Sequence, residues 1–89
     1  MTEHQSEEKG TEGRMKLMLE HVAKQLVDDP AAVVVTEELD GNFIKLHLRV
    51  AEGDVGKVIG RGGRIAKAIR ALLKVMATRD GTQVNLEID

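Results

Sequence analysis

The run Gly60-Arg61-Gly62-Gly63 combines an unhindered backbone with a positive charge. Glycine has no Cβ, so another backbone can approach this run closely. A turn placed before a helix also leaves free N–H groups at the helix N-terminus, where an anion is favoured. Because the guanidinium of Arg61 can bind a phosphate through parallel hydrogen bonds, these residues favour binding of a phosphodiester backbone.

Basic residues are concentrated around this turn. Residues 55–79 contain no acidic residue and seven basic ones: Lys57, Arg61, Arg64, Lys67, Arg70, Lys74 and Arg79. The rest of the chain holds six basic and fifteen acidic residues, so a formal charge of +7 lies beside one of −9, although the whole chain carries only −2. This segregation predicts that one face binds an anionic partner.

Other kinds of chemistry find little support in the sequence. The chain has no cysteine, which excludes disulfides and thiolate metal sites, and His4, His21 and His47 do not have the spacing of metal ligands. Gly56-Lys57 lacks the rest of a Walker A loop, and Ile65 stands where a dinucleotide-binding fingerprint needs a third glycine. No nucleophile–base arrangement is visible. We therefore expect no catalytic residue, no metal, no cofactor and no enzymatic activity.

The elements around the turn follow from periodicity. Apolar residues recur at helical spacing over 14–27, where Asp28-Asp29-Pro30 ends the predicted helix. Residues 33–36 are typical of a strand, Asp40-Gly41 of a hairpin turn, and residues 43–50 alternate as a strand with one buried face. Phe43, the only aromatic residue, begins that strand, and we expect it in the core.

The second half of the chain predicts two helices and a strand. Asp54 is suited to cap a short helix over 55–59. After the glycine turn, an apolar stripe indicates a second helix with a core face: Ile65, Ile69, Leu72, Leu73 and Met76. Asp80-Gly81 ends it, and residues 84–88 alternate as the last strand. The long helical crossover favours parallel pairing of the strands at 43–50 and 84–88. The predicted fold class is α+β, with a three-stranded mixed sheet and three helices on one face.

The segment from Gly56 to Ile65 resembles the signature of K-homology (KH) domains, with Gly60-Arg61-Gly62-Gly63 as the G-x-x-G loop. The order α-β-β-α-α-β matches the type II, bacterial form, and the likeness runs from about Arg14 to Asp89. The resemblance implies RNA binding without catalysis, in which the loop contacts about four nucleotides of a single strand. It further implies an RNA chaperone that forms a homodimer or pairs with a larger KH protein, in a system linked to cell-wall synthesis and cell length.

The predicted site residues are the loop and its neighbours. Arg61, Arg64 and the N–H groups near Gly62 and Gly63 would contact phosphates, and Lys57 and Lys67 would flank the RNA backbone. Bases would lie against Val58, Ile59 and Ile65, and the last strand with the loop over 79–83 would form the other wall. The predicted RNA-binding set is Lys57, Ile59, Gly60, Arg61, Gly62, Gly63, Arg64, Ile65 and Lys67. Since base stacking on several aromatic side chains is not available, one copy should bind weakly, and a dimer would bind with higher avidity.

Several alternatives stay open at the level of sequence. The turn could be a structural helix–turn–helix corner, and the basic helix face could simply be solvated. The domain could act as a protein-interaction adaptor that works mainly through dimerisation. A third hypothesis is duplex DNA binding by the second helix, although that helix lacks Asn and Gln residues to read bases.

The first residues form a separate unit in this interpretation. Residues 1–13 are polar and acidic, which predicts a disordered tail ahead of a KH domain over 14–89. The chain has no apolar run approaching the ~20 residues of a membrane span and no secretory signal, so we expect a cytoplasmic protein.

Overall fold

The computed structural model describes the backbone of residues 2–89 and the side chains of residues 13–89. Helix α1 spans Thr2–Leu26, strands β1 and β2 span Val34–Asp40 and Phe43–Arg49, and helix α2 spans Val55–Ile59. Helix α3 spans Arg64–Arg79, and strand β3 spans Gln83–Ile88. The predicted order and the α+β class are confirmed. The predicted acidic tail over 1–13 falls, but for Gly13, on residues outside the described side chains, and its separation from the domain stays a prediction.

The sheet has the order β1-β2-β3 and is mixed, as predicted. β1 pairs antiparallel with β2 from Val34↔Arg49 to Asp40↔Phe43, and β2 pairs parallel with β3 from Phe43↔Gln83 to Leu48↔Ile88. β1 is longer than the predicted 33–36. Its acidic second half is accommodated because Glu38 lies directly opposite Lys45, and opposite charges on neighbouring strands stabilise the pairing.

The core lies between one face of the sheet and the helices. Alternate residues of β2 are buried there, whereas Lys45 and Arg49 on the other face are exposed. The core cluster comprises Met15, Leu19, Ala23, Val27, Val35, Ile44, Leu46, Leu48, Val50, Val58, Ile69, Leu73, Ala77 and Leu86. Over the described residues, no helix is both long enough and apolar enough to span a bilayer.

Two apolar residues were wrongly predicted to lie in the core. Phe43 is only half-buried and does not belong to the core cluster, because it lies at the start of β2 beside the hairpin turn. Leu72 is 48% exposed. The buried side of α3 instead carries Ala66, Ile69, Leu73 and Ala77, whose steps of three and four leave Leu72 one position away from it.

The predicted capping role of Asp54 is also wrong. Asp54 stands directly before α2, but its side chain makes no capping hydrogen bond. It is 4% exposed, and its Oδ2 accepts the backbone N–H of Asp29 at 3.1 Å. The carboxylate therefore joins the segment that follows α1 to the start of α2, which fixes the position from which the chain enters the glycine turn.

Candidate nucleic-acid interface

The glycine turn depends on backbone conformations that side chains disfavour. Gly60 (φ 79°), Gly62 (φ 64°) and Gly63 (φ 79°) all have positive φ, and Gly63 directly precedes α3. A Cβ at Gly60 would lie 2.6 Å from Cγ1 of Ile65, whereas one at Gly62 would meet nothing within 4 Å. Gly60 thus permits the close packing of α2 against the start of α3, and Gly62 faces open space.

The turn leaves two backbone donors available. The N–H of Gly60 donates to the carbonyl of Gly56 at 2.8 Å, and that of Gly63 donates to the carbonyl of Gly60 at 3.0 Å. No turn hydrogen bond within the described residues uses the N–H of Arg61 or Gly62. The available donors therefore belong to Arg61 and Gly62. The sequence predicted the N–H groups near Gly62 and Gly63, but that of Gly63 is already bonded within the turn.

Three of the predicted cationic residues are accessible and lie on consecutive turns. Arg61, Arg64 and Lys67 are exposed, and no carboxylate of the described residues forms an ion pair with them. Two of them lie at the N-terminal end of α3, where the helix dipole is unfavourable to positive charge. An anion bound there would relieve that repulsion.

Lys57 is in a different environment from the other predicted cations. Its Nζ lies 3.5 Å from Oδ2 of Asp28 and 3.8 Å from Oδ1 of the buried Asp54. The structure thus places Lys57 beside the carboxylate of Asp28, which follows α1, and that of Asp54, which precedes α2. A contact between Lys57 and a phosphate stays a prediction, and it would require exchange of these ion pairs.

The aliphatic residues of the predicted site divide into two kinds. Ile59 and Ile65 are half-buried at the two ends of the turn, and both keep surface that a ligand can contact. Val58 is fully buried in the core, so the expectation that it lines the groove is wrong. The 3.6-residue period explains the difference, because Val58 faces the core while its neighbour Ile59 is only partly buried.

A groove of about 390 Å³ runs between the second half of α3 and β3. On one side it is lined by Arg70, Leu73, Lys74, Ala77 and Thr78, and on the other by Thr82, Gln83, Val84, Asn85 and Leu86. The predicted wall formed by the last strand and its preceding loop is therefore present. Arg70 and Lys74 were absent from the predicted site, although their three- and four-residue steps from Lys67 placed them along the same side of α3.

Acidic residues and histidines of the described part of the chain are spread over several elements. Within the described part of the chain, no group of three or more His, Cys, Asp or Glu side chains could hold a metal ion. The histidine of β2, His47, lies on the sheet with its Nε2 2.9 Å from Oδ2 of Asp89. These groups are separate from the glycine turn.

Comparison with known proteins shows which family contains this chain. The family model described as "KhpA/KhpB, KH domain" matches residues 16–88. The chain belongs to the KhpA/KhpB KH-domain family. The matched residues include the second part of α1, the glycine turn and the groove beside β3.

Several relatives carry the name RNA-binding protein KhpA. The protein from Clostridium acetobutylicum is 50% identical over 74 residues, covering 83% of this chain and 99% of the relative. The protein from Chlamydia trachomatis is 49% identical over 74 residues, covering 83% and 95%. That from Treponema pallidum is 46% identical over 71 residues, covering 80% and 89%.

The fold also occurs in a solved structure of a longer protein. The crystal structure of a single-residue variant of Aquifex aeolicus Era bound to GDP.AlF4- matches with a TM-score of 0.57 and 20% sequence identity. The match covers 83% of this chain but 29% of that chain. At this identity the likeness shows the fold alone.

Proposed function

We propose that this protein is a cytoplasmic, non-enzymatic protein that binds single-stranded RNA. The observation that carries the proposal is the start of α3, where two available N–H groups and two exposed arginines that pair with no carboxylate of the described residues surround an open glycine turn. A phosphate bound there accepts hydrogen bonds from the backbone and is neutralised by the side chains. The names of the KhpA relatives support the same ligand.

The RNA path follows from the positions of charge and apolar surface. Phosphates bind at Arg61, Gly62 and Arg64, and Lys67 extends the positive track one turn further along α3. Bases then face Ile59, Ile65 and the groove in front of β3. Because stacking on several aromatic side chains is not available, affinity depends mainly on phosphates and falls with salt.

Self-association is the second part of the proposal. Ala68, Leu72 and Val75 lie at helical spacing on the exposed side of α3, where Leu72 is 48% and Val75 54% exposed. Paired against a second copy, this stripe removes apolar surface from water and joins two basic faces into one longer RNA site. The same surface suits a larger KhpB-like KH protein, in a pair that acts as an RNA chaperone within cell-wall synthesis and cell-length control.

The test is binding of a mixed-sequence single-stranded RNA, with duplex DNA of the same sequence as the comparison, at two salt concentrations. We expect the RNA to bind preferentially, with log K falling by about 0.7 for each phosphate neutralised per unit of log salt. The double variant Arg61→Asp, Gly62→Asp should lose binding while its circular dichroism spectrum stays that of the wild type. Tighter binding of the duplex would support the DNA hypothesis instead.

A protein-interaction adaptor is the alternative function, and the exposed stripe on α3 favours it. In that case a stable homo- or heterodimer forms whose affinity does not depend on the charge of the glycine turn. Equal RNA binding by the wild type and the double variant, or no binding by either at low salt, would support the adaptor over the RNA-binding proposal.

A further inference from the structure

Arg70 contacts the sheet across the groove. Its Nη2 donates to the backbone carbonyl of Leu86 at 3.2 Å, although the residue itself is exposed. The same groove contains Lys74, one turn further along α3, for which the described residues show no such bond. This bond orients Arg70 toward β3, and the exposed residue keeps surface that a ligand can contact.

The carbonyl that Arg70 binds lies on the free edge of the sheet. β3 is an edge strand, and its odd-numbered residues pair with β2: Gln83 donates to Asn42 and Asp89 donates to Leu48, each at 2.9 Å. In a parallel ladder the N–H and C=O of one residue point to the same side, so even-numbered Val84, Leu86 and Ile88 present theirs to the free edge of β3, where Val84 and Leu86 line the groove. Arg70 therefore occupies the central acceptor of this edge.

The bond between Arg70 and the Leu86 carbonyl changes which ligand atoms the groove can bind. A guanidinium has five N–H donors and no acceptor, so one bond to Leu86 still leaves a parallel pair of donors on another edge. The N–H groups of the strand edge are donors too. At the level of Arg70, the groove consequently presents donors and is complementary to a ligand with two adjacent acceptor atoms.

We propose that Arg70 is a specificity-determining residue that selects nucleobases with two adjacent acceptors, and this rests on the proposed RNA-binding function. Such pairs are O2 and N3 on cytosine and O6 and N7 on guanine; the pairing of arginine with the guanine atoms is well known from DNA grooves. On their hydrogen-bonding edges adenine and uracil alternate donors and acceptors, so neither offers adjacent acceptors to a fork. The groove volume of about 390 Å³ leaves room for a base beside the side chain.

The experiment uses the full chain and four short RNAs that are uridine-rich and differ only at one central base. Wild type, Arg70→Lys, Arg70→Met and Lys74→Met are compared at fixed salt, and thermal unfolding is recorded for each. Arg70→Lys keeps the charge but removes the planar pair of donors. Lys74→Met is the control, because it removes one charge from the same groove and leaves the bond to Leu86 intact.

We expect the wild type to bind the cytosine or guanine RNA about tenfold more tightly than the adenine and uridine RNAs, as one bidentate pair predicts. Both Arg70 variants should lose this difference, whereas Lys74→Met should weaken binding to all four RNAs equally and keep their order. The inference is overturned if wild type binds all four alike, or if Arg70→Lys retains the order. If wild type binds no RNA in a salt-dependent way, the proposed function fails together with this inference.

Discussion

A methyl group on Gly60 would lie 2.6 Å from Cγ1 of Ile65 and 2.9 Å from its backbone nitrogen. These contacts are shorter than atoms tolerate, and the positive φ adds strain for any side chain. We therefore expect Gly60→Ala to lower the free energy of unfolding by about 1–3 kcal/mol, the usual cost of forcing extra atoms into a packed site.

Urea unfolding followed by circular dichroism measures this change, and Gly56→Ala is the matched control. Gly56 lies within α2, and a Cβ there meets nothing within 4 Å. Alanine is favoured over glycine in a helix, so the control should equal or exceed the wild type in stability. Equal stability of the two variants would show that the turn does not require the close approach at Gly60.

At the scale of elements, α3 serves three surfaces at once. One side packs in the core, a second carries the basic residues toward β3, and a third exposes Ala68, Leu72 and Val75. If the third surface joins two copies, Leu72→Gln should raise the dissociation constant of the dimer about tenfold or more. Burial of one leucine side chain contributes roughly 1.5–3 kcal/mol to the free energy of association.

Sedimentation equilibrium over a range of protein concentrations measures the dissociation constant of the dimer. Leu17→Gln is the control, because Leu17 is 64% exposed but lies on α1 rather than on the stripe. We expect the control to dimerise as the wild type does. A Leu72→Gln variant with an unchanged dissociation constant would place the dimer interface elsewhere.

The elements also show how far the sequence predicts this structure. The six main helices and strands, their order and the mixed sheet follow from periodicity and turn residues. The role of Asp54 does not, because its partner is the backbone of Asp29, 25 residues away, and no local pattern reveals such a contact. Leu72 was predicted in the core because it belongs to an apolar stripe in the sequence. The sequence does not show how much of such a stripe the rest of the fold covers.

The candidate site divides in the same way. The glycine run and the basic segment identify the turn, since glycine and arginine chemistry is local. The bond from Arg70 to Leu86 depends on how α3 lies over β3, and the ion pair of Lys57 with Asp28 depends on where α1 ends. Both are tertiary contacts. The sequence therefore shows which residues are charged, but not which of them already bind another part of the protein.

At the scale of the whole molecule, charge is separated along the chain more than the net value of −2 suggests. The residues before Gly13 contribute Glu3, Glu7, Glu8 and Glu12. We hypothesise that these carboxylates compete with RNA for the basic face. Removal of residues 1–12 should then tighten RNA binding at low salt. The difference should shrink near 1 M salt, where the screening length is only about 3 Å.

Fluorescence anisotropy with a labelled RNA measures both salt conditions with the same protein preparations. A shortened chain that binds as the full chain does at low salt would exclude competition by these residues. Circular dichroism accompanies each titration to show that the shortened chain, which lacks the first half of α1, stays folded.

The most direct test of the account compares Gly62→Asp with Gly62→Asn in binding to single-stranded RNA. Gly62 has φ 64° and open space around its Cβ position, and Asn and Asp both tolerate this backbone conformation, so the two variants should fold alike and differ in one charge. If phosphate binds at this turn, Asn should stay close to wild type, and Asp should lose about tenfold or more in affinity, as loss of one charge-assisted contact predicts. Equal affinities of the two folded variants would contradict the claim that the glycine turn binds the RNA backbone.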